Sequence, residues 1–181
     1  MKKFILIFFL VFCSSIFAQS PVSKGTYTVG GNIGFTSYSE DGNSDTKTFF
    51  TFAPKLGYFF IDNFYTGTTL MYVYSSSGDF SNNTYGIGLV TRYYFSLEKI
   101  KPFLGLEYLY SIMTSNDSND ELTQTNFTMN VGLDYFITNY FALEGSINYT
   151  MTSHTFSYNS GINDINRKLF NIGIGANYFI N

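Results

Sequence analysis

His154 is the single histidine of this 181-residue chain. Ser153 precedes it and Asp164 follows a short way downstream. A serine, a histidine and an acid are the ingredients of nucleophilic catalysis. The string Ser153-His154-Thr155-Phe156, however, has no glycine elbow or other supporting signature. These residues read as a surface histidine in a polar stretch, and no catalytic residue is assigned. Two groups of acids, Asp117-Asp120-Glu121 and Glu40-Asp41-Asp45, carry oxygens of the kind that hold calcium. Their neighbours are polar and small, so solvated loops are the better reading. Gly173 and Gly175 fall inside a strand pattern and make no phosphate loop. The residues therefore point to no metal and no cofactor.

A different set of charges is more informative. Lys55, Arg92, Glu107, Asp134 and Glu144 lie inside segments that otherwise read as strands. Two bases and three acids on one face of a closed sheet would be expected to pair and hydrogen-bond, because an unpaired buried charge is strongly unfavourable. Such a network would fill a narrow lumen and block an open pore.

The elements that carry them are regular. Strand-like segments are expected at about 26–38, 47–60, 64–76, 83–95, 102–113, 123–137, 140–153 and 167–180. They are rich in Tyr, Phe, Thr, Val and Ile, and helical periodicity is absent. In the sixth, Phe127, Met129, Val131, Leu133 and Tyr135 alternate with Thr128, Asn130, Gly132, Asp134 and Phe136. In the eighth, Phe170, Ile172, Ile174, Ala176, Tyr178 and Ile180 alternate with Asn171, Gly173, Gly175, Asn177 and Phe179. The third, Phe64 to Ser76, is ambiguous in phase. Glycines and small polar residues make a poor solvated surface but a workable lumen, so the apolar face is expected to meet lipid. Hydrocarbon offers backbone groups no water, so the sheet must close.

Composition agrees with that inversion. The chain has 21 Phe and 16 Tyr but only 13% charged residues, against about 25% in a soluble domain. Residues 1–18 form a secretory signal: Lys2 and Lys3, the apolar run Phe4–Phe12, and a cut after Ala18. Cys13, the only cysteine, leaves with it, so the mature 19–181 domain is expected to hold no disulfide. Without Lys2 and Lys3 the chain carries 8 basic and 13 acidic residues, and no basic patch suggests nucleic acid.

The connections at 61–63, 96–100 and 138–139 read as short, and those at 39–46, 77–82, 114–122 and 154–166 as longer and polar. Short periplasmic turns and long external loops are the pattern of outer-membrane barrels, and an even strand number leaves both termini in the periplasm. Leu56-Gly57-Tyr58-Phe59-Phe60-Ile61-Asp62-Asn63 resembles Leu133-Asp134-Tyr135-Phe136-Ile137-Thr138-Asn139. Both stretches fall at short turns, where aromatics would form an interfacial girdle.

Pro54-Lys55-Leu56-Gly57-Tyr58-Phe59, Thr91-Arg92-Tyr93-Tyr94-Phe95 and Lys101-Pro102-Phe103-Leu104-Gly105-Leu106-Glu107-Tyr108 resemble the small outer-membrane β-barrel domain family, the porin-like OmpA/OmpX-type barrels. The resemblance implies an all-β fold, an eight-stranded antiparallel up-and-down transmembrane barrel in the cell outer membrane. It also implies that Gly175, Tyr178 and Ile180 act as an assembly signal for the barrel-assembly machinery, although the chain ends in Asn181 rather than an aromatic. Some barrels of this kind hydrolyse lipid esters at the rim, which leaves Ser153 and His154 as a minor enzymatic alternative. The expected partners are outer-membrane lipid and an extracellular partner met through the four polar loops. The expected role is structural or surface interaction, with a small porin-like channel as the alternative.

Overall fold

The computed structural model describes residues 20–39, 46–78, 80–115, 121–156 and 165–181. Eight strands follow one another: β1 (Tyr27–Ser39), β2 (Thr46–Ile61), β3 (Phe64–Ser77), β4 (Phe80–Tyr94), β5 (Ile100–Ser115), β6 (Glu121–Phe136), β7 (Phe141–Phe156) and β8 (Ile165–Ile180). Each pairs antiparallel with the next, and β8 returns to β1 to close a barrel. The fold is the eight-stranded up-and-down barrel.

The period-two patterns choose the faces. On β4, Tyr85, Ile87, Leu89 and Tyr93 point outward and are about half exposed, while Thr84, Val90, Arg92 and Tyr94 are buried in the lumen. On β6, Met129, Val131, Leu133 and Tyr135 are exposed, and Asn130 and Asp134 are buried. This is a soluble protein's arrangement turned inside out. A skin of Leu, Ile, Val and Tyr that would aggregate in water is what an acyl layer requires.

The strands reach further at the outer end than the sequence suggests. The expected loop at 77–82 is instead a hairpin in which Ser77 pairs with Phe80 beside Gly78 at φ 58°. Glycine takes that left-handed conformation without steric cost, so the strands run almost to the turn. Thr114 and Ser115 belong to β5, Glu121 and Leu122 to β6, His154 to Phe156 to β7, and Ile165 and Asn166 to β8. Polar Ser, Thr and Asn near the rim read as loop, but the neighbouring ladders carry them as strand. At the other end, β2 and β3 turn through Asp62 and Asn63 alone, while residues 95–99 and 137–140 are longer than a tight turn. The strict alternation of short and long connections therefore does not hold. Asp117, Asp120, Glu40, Asp41, Asp45 and Asp164 lie outside the described residues.

The seam between β1 and β8 is shorter than the other ladders. It runs from Tyr27↔Ile180 to Asn32↔Gly175 and stops there. By contrast, β1 stays paired with β2 all the way from Tyr27 to Ser39.

Candidate functional site

The lower lumen, at the end that carries both described termini, is filled by charge and aromatic rings. Arg92 Nη1 and Nη2 donate to Glu144 Oε2 and Oε1 at 2.7 and 3.0 Å, a bidentate pair. Its guanidinium also stacks 4.2 Å from the centroid of the Phe103 ring. Tyr94 donates its hydroxyl to Asp134 Oδ2 at 3.1 Å and lies 3.4 Å from Arg92 Nη1. Asn177 Nδ2 bridges both acids, 3.0 Å from Asp134 Oδ1 and 2.8 Å from Glu144 Oε2. Lys55 and Glu107 form a separate, longer pair at 3.7 Å.

Register explains the assembly. Asp134 and Glu144 are direct partners across β6 and β7, and Glu144 faces Gly175 of β8. Two carboxylates side by side need a cation, and Arg92 reaches them from the other wall of the lumen. It has room to do so because its neighbour on β5 is Gly105. Arg92, Asp134 and Glu144 are at most 3% exposed, so any missing partner would leave a naked buried charge. Lys101 is also buried, at the lumen position opposite Asp134. The strand pattern offers Lys101 as plainly as Lys55, yet its place beside a turn makes it read as a rim residue. With it, three bases face three acids in the lower lumen.

Beneath the charges lies an aromatic floor. Phe59, Tyr65, Tyr94, Phe103, Phe136 and Phe179 pack with Ala142 and Val22. Phe136 and Phe179 sit 4.8 Å apart between ring centroids, and Phe59 touches Tyr65, Tyr94 and Phe179. The turn aromatics thus divide between two faces. Tyr27, Tyr58, Phe60, Tyr93, Phe95, Tyr140 and Tyr178 pair with one another on the outside as a girdle. The alternate ones turn in and seal the base.

The segment Ser20–Thr26 completes the floor, which the sequence did not announce. Val22 is 1% exposed and its carbonyl accepts from Asn63 N at 2.7 Å. Gly25 N donates to Phe59 O at 2.9 Å, and Thr26 Oγ1 donates to Asn181 Oδ1 at 2.5 Å, tying the two ends together. Lys24 N donates to Asp62 Oδ1 at 2.8 Å. The only warning was an isolated valine between Pro21 and Ser23.

Glycines let large side chains lie across the lumen. Gly57 and Gly67 are direct partners, and a Cβ on either would overlap Tyr65. Gly132 faces Phe103 in the same way, and its Cβ would stand 2.5 Å from the ring. Alternating small and large residues is how a narrow barrel fills its interior.

Above the charges, the lumen is mainly polar, with Thr69, Thr84 and Ser111 buried on β3, β4 and β5. Thr128 and Thr150 share a hydrogen bond at 2.8 Å, Asn148 donates to Asn171 at 2.9 Å, and Thr152 donates to Asn126 at 2.6 Å. Met71 and Val73 of β3 and Leu109 and Met113 of β5 occupy inward positions among them. These apolar inward residues are why the phase of the third segment was ambiguous. Asn32 Oδ1, Thr69 Oγ1, Asn130 Oδ1 and Arg92 Nε are buried without a protein partner. His154 stands on β7 in register with Gln124 and Ile165, Ser153 is exposed, and Asp164 lies outside the described residues. Among the described residues, no group of three His, Cys, Asp or Glu side chains could hold a metal ion. Gly175, Tyr178 and Ile180 lie at the end of β8. Tyr178 packs tilted against Tyr140, and Ile180 pairs with Tyr27.

A closed barrel with an apolar exterior, an outer aromatic girdle and a polar, charge-filled interior is a transmembrane barrel. Residues 4–179 match the family described as outer membrane protein beta-barrel domain, and the chain belongs to that family. It sits in the outer membrane. No curated protein matches it. Among solved structures, the barrel resembles outer membrane protein OprG from Pseudomonas aeruginosa, at 15% identity over 90% of this chain and 99% of that one, with a TM-score of 0.57. It resembles Neisserial surface protein A at 17% identity over 86% and 97%, TM-score 0.58. The N-terminal β-barrel domain of Pseudomonas aeruginosa OprF is similar at 14% identity over 87% and 98%, TM-score 0.53. At such identities the likeness is one of fold.

Proposed function

We propose that this outer-membrane barrel is a structural and surface-interaction protein whose lumen conducts no solute. The observation that carries the reading is the double closure of its base, by the Arg92–Glu144–Asp134–Asn177 network and by the aromatic floor with Val22 at its centre. An eight-stranded barrel is wide enough only for its own side chains. Here those side chains interlock across the full width. The network of Lys55, Arg92, Glu107, Asp134 and Glu144, with Lys101, stiffens the staves, and the outer rim and the residues between strands meet an extracellular partner. The chain is exported with removal of residues 1–18, and Gly175, Tyr178 and Ile180 present the terminal strand to the barrel-assembly machinery. No catalytic role is assigned to Ser153 or His154.

Planar-bilayer recording on the refolded mature protein tests the reading. Wild type is expected to show no stable conductance. Arg92→Glu, which sets a third carboxylate against Asp134 and Glu144, is expected to destabilise the barrel or open a conductance. Stable channels from wild type would make the protein a small porin-like channel and overturn the proposal.

A further inference from the structure

The seam between β1 and β8 ends at a telling height. Asp134, Glu144, Gly175 and Asn32 lie on one row of paired residues across β6, β7, β8 and β1. Pairing of β1 to β8 therefore stops on the row that carries the buried carboxylates, a row that climbs from Asp134 to Asn32 because the strands tilt. Above that row, Ile33 to Ser39 and Ile165 to Ile174 have no ladder between them. A strand tilted by about 40° climbs roughly 2.5 Å per residue, so Ile174 stands roughly 15 Å above Ile180, and the slit occupies the outer half of the bilayer.

Exposure marks the same place. Ile172 at 76%, Ile174 at 73%, Phe35 at 70%, Phe170 at 69% and Ile33 at 65% exceed every other large apolar residue described. They flank the slit on its two sides. Asn171 occupies an inward register position yet is exposed, as it is where a lumen opens sideways.

An unpaired strand edge in hydrocarbon is costly, so these edges need polar company rather than acyl chains alone. The lumen just inside supplies some, and it also lacks something. Asn32 Oδ1, Asn130 Oδ1 and Thr69 Oγ1 are buried oxygens that receive no protein hydrogen bond. Each can accept one, which selects a group bearing hydroxyls or amines.

We propose that the slit between Ile33–Ser39 and Ile165–Ile174 is a side port through which the hydroxyl-bearing head of an outer-leaflet amphiphile enters the upper lumen, its tail staying in the acyl layer. The head meets Asn32, Asn130 and the Asn148–Asn171 pair, and the carboxylate row stops it from going deeper. The tail lies between Ile33 and Phe35 on one side and Ile172 and Ile174 on the other. The proposal rests on the closed base argued above. Retention of ligand reports on the port and conductance on the base, so the two can fail separately.

The test uses the mature protein in phosphatidylcholine nanodiscs loaded with 1-monolauroylglycerol or with methyl laurate, whose head offers no donor. Native mass spectrometry reads what stays bound. One monoglyceride per barrel is expected, with methyl laurate lost. Asn171→Leu combined with Asn32→Ala is expected to weaken retention about tenfold. Continuing the Asn32↔Gly175 register sets Ile33 opposite Ile174, so Ile33→Cys with Ile174→Cys staples the port when oxidised. Oxidation is expected to abolish retention and reduction to restore it. If the staple does not form, the Asn171→Leu, Asn32→Ala variant decides. Equal retention of the two laurates, no retention of either, or retention indifferent to the variants overturns the proposal.

Discussion

Arg92→Met is the sharpest test of what holds the barrel's base together. The change removes a guanidinium that makes two charge-assisted hydrogen bonds to Glu144, at 2.7 and 3.0 Å, and a stack on Phe103. Methionine keeps the apolar stem. What is lost is, among the described residues, the only hydrogen-bonded cation on a carboxylate that is 2% exposed and directly opposite Asp134. Removing one partner of such a pair costs about 3–5 kcal/mol, because Asn177 is then the one donor on Glu144 among the described residues. Glu144→Met leaves Arg92 stranded over Phe103 at a similar cost of about 3–5 kcal/mol. In the double variant Arg92→Met, Glu144→Met both charges go. A buried pair replaced by well-packed apolar side chains is often neutral, so about 0–2 kcal/mol is expected, the residue being the freed Asn177 amide and Tyr94 contact. Urea unfolding of the barrel from lipid vesicles, read by circular dichroism and by the heat-dependent shift in gel mobility, gives the three values. Each single variant should shift the folding constant by at least about 100-fold, since 1.4 kcal/mol is a factor of ten. The double variant should be more stable than either single. Costs that simply add, or a single variant costing under about 1 kcal/mol, would refute the reasoning that a desolvated pair, and not merely volume, occupies the centre of the lumen.

Other outcomes follow from the same structure. Gly57→Val drives a side chain into the Tyr65 ring and should cost about 1–3 kcal/mol in the same urea titration, whereas Gly145→Val, whose Cβ meets nothing within 4 Å, should cost clearly less. Asn63 holds φ 66° in the two-residue turn between β2 and β3; Asn63→Val should destabilise by about 1–2 kcal/mol and Asn63→Gly by far less, measured by unfolding midpoint. Leu89→Arg places a charge on the lipid face at mid-strand, where Leu89 is 64% exposed. It should cost about 2–4 kcal/mol in a bilayer, while a soluble protein would tolerate it.

The strands were legible because each carries its own period. β6 and β8 alternate cleanly since most of their lumen positions are Gly, Asn, Asp, Thr or a floor phenylalanine. Phe136 and Phe179 broke the expected polarity of the inner face, and nothing local separates an inward phenylalanine at a turn from an outward one. The distinction is a matter of depth. Near the base the lumen is dry, so Phe59 and Phe136 pack there, while Tyr58 and Tyr135 keep their outward register. β3 failed for the converse reason: Met71 and Val73 line the upper lumen, so both of its faces are greasy. The outer loops were overdrawn because Ser, Asn and Asp near the rim favour turns over strands, and only the ladder to a neighbour commits the rim residues. Ser77 and Phe80 show this at the β3–β4 hairpin. The role of Val22 was beyond any local pattern, since it depends on the barrel mouth that receives it.

These differences divide the molecule at the row of Asp134 and Glu144. Below it, every stave is tied: β1 to β8 by the ladder, the termini by Thr26 and Asn181, and the interior by charge and rings. Above it, the interior mixes polar Thr, Ser and Asn side chains with Met71, Val73, Leu109 and Met113, and it is open beside β8. A barrel that needed only to span the membrane would gain by zipping β1 to β8 along their whole length, since each unpaired group is costly in hydrocarbon. Continuing the register would set Ile33 against Ile174 outside and Gly34 against Gly173 inside, just past Gly31 at φ 150°. A slit kept against that cost is accounted for by the amphiphile head proposed to occupy it. The rigid base is then what lets the upper half stay open without unravelling the fold.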